Sequence, residues 1–218
     1  MSVSAVPRRE KSSTREPVTR DRIAEAALAI LDAADDESAL TMRTLAEELS
    51  VQAPSLYAHV SGISDILDLV HARINAGIDL ASLDHPDPLV GLREFAHLYR
   101  SAYQSHQVAA TIIITRSFNG DHALAVYEAV ATCLRRAGVP VANVMPTMSF
   151  LDSLVLGSAI EPFAAGFTDK GGDYARDYPS LAVALRSRRR KHIDDDGFTL
   201  GLDAFIDVVS AMSVDKPE

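Results

Sequence analysis

Residues 41–59 read TMRTLAEELSVQAPSLYAH. Thr41 is an N-cap candidate, because its hydroxyl can accept from a first-turn N–H. The helix it opens turns Leu45 and Leu49 inward and leaves Arg43, Thr44, Glu47 and Glu48 outside. Ser50 and Val51 interrupt that pattern. A second short helix begins at Gln52-Ala53-Pro54, where proline suits the first turn because its missing N–H needs no partner. Leu45, Ala46, Leu49, Val51 and Leu56 pack the two helices together, so the second one presents a polar, uncrowded side outward. Two short helices joined in this way form a helix-turn-helix, whose second helix enters the major groove while the first crosses the backbone. Gln52, Ala53, Pro54 and Ser55 stand at the N-terminus of that second helix. The dipole is positive there, and short side chains allow a close approach to DNA.

Upstream, Thr19 caps a helix in which Ile23, Ala26, Ala27, Ile30 and Leu31 share one face, and Asp35, Asp36 and Glu37 end it in a loop. Downstream, after Ser61-Gly62, the apolar pattern Ile66, Leu67, Leu69, Val70, Ile74, Ile78 predicts a long helix from about Ser64 to Leu83 that links two domains. Asp87-Pro88 supplies a cap and a first-turn proline for the next helix, and four helical segments fill residues 88–163. Gly166, Gly171, Gly172 and several aspartates give residues 163–179 the composition of a loop, followed by two last helices at about 180–190 and 198–212. No alternating run marks a strand. The expected fold is all-α: a basic arm at 1–18, a three-helix DNA-binding domain at 19–63, and a larger helical effector-binding and dimerisation domain at 64–218.

Composition narrows the function. With 47% hydrophobic and 23% charged residues the chain is globular in character, and its net charge of -9 argues against holding nucleic acid by bulk electrostatics. Contact with DNA must then be local. Arg8, Arg9, Lys11, Arg15, Arg20 and Arg22 outnumber Glu10, Glu16 and Asp21 at the front, which suits either a DNA-contacting arm or a solvated leader. A second basic cluster, Arg186 to Lys191, precedes Asp194, Asp195 and Asp196 and reads as a solvated helix end and loop. No apolar run reaches about 20 residues and the N-terminus lacks an apolar h-region, so a cytoplasmic protein with no membrane partner is expected. The single cysteine, Cys133, sits among apolar neighbours as a buried structural thiol. The histidines are scattered without metal-ligand spacing, and no phosphate loop, nucleophile elbow or paired-carboxylate motif occurs. Neither catalysis nor a cofactor or metal is expected.

The run MRTLAEELSVQAPSLYAHV resembles the TetR family of bacterial repressors, and the likeness extends over residues 19–75. Carried over by position, it implies that Arg43 reads a guanine edge or a phosphate, with Thr41 and Thr44 beside it on the DNA side. Gln52 and Ala53 would face bases, Pro54 would meet a thymine methyl, and Ser55, Tyr57 and His59 would bind phosphates. The chemistry agrees with these roles, since apolar groups suit the thymine methyl and hydroxyls suit the backbone. Tyr57 and His59 have the alternative of packing the head. Three features depart from the family pattern. Ser50 replaces a turn glycine, so it either accepts a left-handed conformation or makes a different turn. Gly62-Ile63 stands where many members have Asn-Lys. Between Thr19 and Asp68 three arginines face ten carboxylates, so few phosphates can be neutralised.

Beyond residue 85, Ser105-His106, Ile114-Thr115-Arg116, Ala137-Gly138 and the run FTLGLD at 198–203 look like the tetracycline-repressor branch of that family. The likeness implies an inner bundle around a ligand and a four-helix dimer interface, formed by about 142–163 and 198–212 from each subunit. Both helices have wide apolar faces, which suit a bundle core and an obligate interface equally. Tyr99, Tyr103, Ile112, Arg116, Phe150 and Leu154 are the candidate effector residues, because ligand cavities are mostly apolar with a few placed polar groups. A tyrosine on an apolar helix face is also a common core residue. Ile112 falls where the tetracycline repressors carry a histidine for a magnesium–drug complex, and Glu161 aligns with a carboxylate near that metal. A lone carboxylate holds magnesium poorly, so a metal-free, apolar or aromatic effector is expected. The resulting expectation is a homodimeric repressor released from double-stranded operator DNA by a small molecule, with the helix from Ser64 as the lever. The alternative is a ligand-independent DNA-binding dimer governed by a protein partner or by abundance.

The shortage of cations in the head predicts operator binding that depends weakly on salt, because the slope of log affinity against log salt follows the phosphates neutralised. Deleting residues 1–15 is expected to weaken operator binding and flatten that slope further. Equal slopes for the intact and shortened proteins, measured by fluorescence anisotropy, would reject a role for the arm.

Overall fold

Thr19 and Thr41 cap the first two helices as their hydroxyls allow. The Thr19 side chain accepts from the Arg22 N–H at 3.2 Å and opens α1 (Arg20–Asp32). At α2 (Met42–Glu48) the exchange is reciprocal, with the Thr44 N–H donating to Thr41 Oγ1 at 3.0 Å and the Thr41 N–H to Thr44 Oγ1 at 2.9 Å. α3 (Ala53–Leu56) and α4 (Ile63–Ala76) complete the head. The computed structural model describes residues 17–116, 121–160, 163–167, 174–187 and 192–214, all of whose regular structure is helical. The body comprises α5 (Pro88–Gln104), α6 (Gln107–Ile114), α7 (Asp121–Arg136), α8 (Val141–Ile160), α9 (Pro179–Ser187) and α10 (Ile193–Val214).

Helix boundaries differ from expectation in two places. α4 ends at Ala76 rather than near Leu83: Gly77 closes it, and the Asp79 carboxylate accepts from the Ala81 N–H at 2.9 Å, starting a separate 3-10 turn at Leu80–Asp84. A side chain that offers the backbone a new N-cap competes with helix continuation. α10 begins at Ile193, five positions before Phe198, because Asp194, Asp195 and Asp196 fall in its first turn and favour the positive end of the dipole.

The core is continuous from head to body. Ile23, Leu31, Leu45, Leu56, Ile66 and Val70 are fully buried at one end, and Leu92, Phe95, Leu134, Val155, Leu202 and Phe205 at the other, within a single apolar cluster. α4 packs against α1 in the head and against α5, α6 and α7 in the body. α5 is the central strut, touching α7, α8, α10 and the 3-10 turn. Arg136 clamps that turn, donating to the carbonyls of Leu83 at 2.8 Å and His85 at 2.6 Å. Arg93–Asp203 and Arg100–Asp195 tie α5 to α10, and the Arg100 guanidinium also lies 4.5 Å from the Phe198 ring centre. Cys133 is buried, its thiol pushed up to about 11 by burial, which suits a structural rather than a reactive role.

Two backbone positions turn on a single Cβ. At Gly91, a Cβ would sit 2.5 Å from the Ser82 carbonyl oxygen, so only glycine lets α5 lie this close to the 3-10 turn. At Ser50, φ is +53°, a left-handed conformation that L-residues adopt at a cost. Gly91→Ala is therefore expected to cost roughly 1–3 kcal/mol through overpacking against backbone. Ser50→Gly should gain up to about 1 kcal/mol, less the entropy glycine adds to the unfolded chain. Urea midpoints moving in these opposite directions would bear this out; a Gly91→Ala midpoint unchanged from the parent would contradict it.

Candidate functional site

The head places α3 where a DNA groove can reach it. Leu45 and Leu56 are fully buried between the helices, and Ala46 and Val60 nearly so. The turn closes through the Val51 N–H to the Ala46 carbonyl at 2.9 Å and the Ser50 N–H to the Glu47 carbonyl at 3.0 Å. This is a Schellman motif with serine in the glycine position, so the turn keeps the geometry glycine would give it. Gln52, Pro54, Ser55 and Tyr57 are exposed and Ala53 is half-buried; Tyr57, at 57%, packs no core. The half-buried His59 uses its carbonyl to accept from Arg20 at 2.8 Å, which pins the start of α1 to the end of α3.

Other side chains on this surface are already engaged. Thr44 donates its hydroxyl to the Ala39 carbonyl at 2.7 Å and shares the cap with Thr41. Arg43 lies along α2 with Nε 2.8 Å from the Glu47 carboxylate, and Arg73 of α4 pairs with Glu25 of α1 at 2.7 Å. The Arg43–Glu47 pair uses only Nε, so the terminal guanidinium nitrogens of Arg43 keep donors for a further partner. Residues 1–16, including most of the basic arm, lie outside the described residues.

A second feature lies in the body. A cavity of about 290 Å³ opens between α5, α7 and α8, lined by Phe95, Tyr99, Val126, Tyr127, Val130, Met145, Met148, Ser149, Leu151 and Asp152. Positions 145, 148, 149 and 152 form one face of α8 at helical spacing. The Tyr99 hydroxyl donates to Asp152 Oδ1 at 2.7 Å. Burial pushes the Asp152 carboxyl above the ordinary carboxylate range, against the opposing pull of that hydrogen bond. Burial also raises the phenols of Tyr99 and Tyr127, so both remain protonated donors.

From this cavity a chain of contacts runs to α4. The Tyr99 and Tyr103 rings meet edge to face at 5.2 Å, and the Tyr103 hydroxyl donates to Asn75 Oδ1 at 3.1 Å. Burial lowers His71 to about 4, so its ring is neutral and Nε2 accepts from Asn75 Nδ2 at 2.9 Å. That bond orients the Asn75 amide with its oxygen toward Tyr103.

Of the effector candidates named from sequence, the structure brings Tyr99 to the cavity wall and Tyr103 directly behind it. The other four stand elsewhere. Ile112 borders a surface depression with Asp35, Asp36 and Gln107. Arg116 donates to Ser64 Oγ at 2.6 Å and approaches Asp68 at 3.8 Å, joining the end of α6 to the start of α4. Phe150 packs edge-on against Phe205 of α10 at 5.5 Å, and Leu154 abuts Gly201 of α10. Glu161 lies outside the described residues, among which no group of three or more side chains could hold a metal ion. Sequence reasoning passed over Asp152, although a lone carboxylate in an apolar helix of 20 residues was a visible signal.

Because the folded state raises the Asp152 pKa, it carries an unfavourable charge at neutral pH, and the penalty fades as pH falls and the carboxyl protonates. Asp152→Asn keeps an acceptor for Tyr99 and removes the charge. The variant is expected to melt higher than the parent at pH 7, with a difference that shrinks toward pH 4. A lower melting temperature at pH 7, by circular dichroism, would contradict this.

Known proteins resemble the chain in both parts. A family model described as the tetracyclin repressor-like C-terminal domain matches residues 90–213. An HTH-type transcriptional regulator of Saccharopolyspora erythraea is 33% identical over 182 residues, 83% of this chain and 75% of that protein. The HTH-type transcriptional repressor DrrR1 of Streptomyces coeruleorubidus is 29% identical over 70% of this chain, which spans only 56% of its length. Among solved structures, ActR of Streptomyces coelicolor, a TetR family protein, superposes in its complex with actinorhodin with a TM-score of 0.75 at 28% identity, covering 89% of this chain and 96% of that one. Its complex with (S)-DNPA also gives 0.75, at 28% identity over 90% and 98% of the two chains. A matched body, a 33%-identical regulator and a helix-turn-helix with its second helix exposed lead to one statement: the chain belongs to the TetR family of helix-turn-helix transcriptional regulators.

Proposed function

We propose that the chain works as a homodimeric repressor whose grip on double-stranded operator DNA is loosened by a small apolar or aromatic molecule in the α5–α7–α8 cavity. The observation that carries this reading is the line of contacts from Asp152 through Tyr99, Tyr103 and Asn75 to His71, which joins the cavity to α4. A ligand shifts an equilibrium only by what it binds differently in the two states. A molecule that displaces the Tyr99 ring or competes for Asp152 changes packing that reaches Asn75 and so biases the tilt of α4. Arg116 adds a second link, from α6 to Ser64.

On the DNA side, Gln52, Ala53 and Pro54 take the base edges. Ser55, Tyr57 and His59 take phosphates, and Thr41, Arg43 and Thr44 flank the groove from α2. The two copies meet through α8 and α10, where Phe150, Leu200 and Val208 are exposed at 44%, 72% and 41% in the single chain. A self-complementary apolar face of this kind suits a two-fold interface. The small-molecule complexes of ActR and the repressor description of DrrR1 support both halves of the proposal. Among the described residues no helix is long and apolar enough to cross a membrane.

Selection of binding sites from random duplexes with the intact protein tests the reading. It is expected to yield a palindrome, and Gln52→Ala should relax preference at one position per half-site, by roughly 1–3 kcal/mol for a lost base contact. Failure to enrich any two-fold symmetric site would reject the dimeric operator-binding reading.

A further inference from the structure

Among the described residues Asp152 is the one carboxylate on a cavity wall otherwise made of aromatic rings, methionines, aliphatic side chains and a serine. Among the described residues no lysine, arginine or histidine lines that cavity. The carboxylate accepts from Tyr99 at 2.7 Å, and among the described residues no ion pair involves it. A carboxylate has room for about four hydrogen bonds. Held half-buried without a cation, it carries a desolvation penalty that a bound partner can relieve.

The walls match the same partner. Phe95, Tyr99 and Tyr127 offer ring faces and edges, and cations are drawn to the faces of such rings. Met145 and Met148 supply soft, adaptable surface for an apolar ring system. An anionic molecule would meet Asp152 with no positive charge among the described lining residues to offset it.

We propose that the cavity selects a lipophilic amine, a ring-bearing molecule whose protonated nitrogen pairs with Asp152 while its apolar part lies among Phe95, Tyr99, Tyr127 and the two methionines. The inference rests on the reading of this cavity as the effector site and adds the charge of the ligand to it. Neutral and anionic molecules of the same shape bind less well, because only the cation gains the charge-assisted hydrogen bond.

Isothermal titration of the full-length protein with three matched probes tests this: 1-naphthylmethylamine, its N-acetyl amide, and 1-naphthoate. The amine is expected to bind about tenfold or more tightly than the amide, the usual gain from a hydrogen bond to a charged group, and the naphthoate weakest of the three. Asp152→Asn should abolish the preference for the amine over the amide while both still bind, which also demonstrates that the cavity still forms. Equal binding of amine and amide to the parent protein, a preference for the amine that survives Asp152→Asn, or no binding of the amine at millimolar concentration would each overturn the proposal. Operator release is read separately by anisotropy on a selected duplex. Amine binding that leaves DNA affinity unchanged removes the effector reading while Asp152 keeps its role, whereas equal release by amine and amide keeps the effector reading and removes this inference.

Discussion

Helix α4 belongs to two packed assemblies at once. Its apolar residues lie in a cluster that runs unbroken from the helix-turn-helix to the innermost part of the body, and it packs against α1 on behalf of the head and against α5, α6 and α7 on behalf of the body. Packed interiors have little free volume, so α4 cannot shift against one set of neighbours without disturbing the other. The hydrogen bonds that reach it from Tyr103 and Arg116 are additions to that constraint. A displacement that begins in the body is therefore passed to the head, because the helix between them has no independent packing of its own.

The second constraint is electrostatic. A chain of net charge -9 that reads DNA cannot rely on long-range attraction, and its head holds its arginines in local pairs: Arg20 on the His59 carbonyl, Arg43 on Glu47, Arg73 on Glu25. Those contacts shape the head more than they charge it. Short side chains at the start of α3 leave the backbone there open to close approach.

The cavity shows the opposite economy. Its wall is apolar except for a few polar groups, among them Asp152, whose carboxyl burial pushes up and which keeps Tyr99 as its hydrogen-bond donor. A carboxyl whose pKa is shifted by burial on a cavity wall is the kind of group that binding sites use.

Much of the molecule was legible in local chemistry. Thr19, Thr41 and Asp87 announced helix starts, Pro54 and Pro88 fitted first turns, and the break at Ser50 marked the turn of the head. The resemblance carried by residues 42–60 pointed to the family and so to a helix-turn-helix formed by α2 and α3. Where a competing cap intervened, as at Asp79, periodicity alone ran the helix on too far. The cavity was harder to read for a reason specific to α8. That helix is apolar on nearly every side, so Phe150 and Leu154 were as plausible for the cavity as Met145, Met148 and Asp152. Rotation of α8 about its axis, set by α10 on one flank and by α5 and α7 on the other, turned one group toward Phe205 and Gly201 and the other into the cavity. By itself the sequence determined that the chain is helical and that the short helix at Ala53–Leu56 stands exposed on the head, because caps, prolines and period act within a few residues. Which side chains face the cavity was decided only by the tertiary structure, because a helix without a polar face carries no local instruction about how it should be turned.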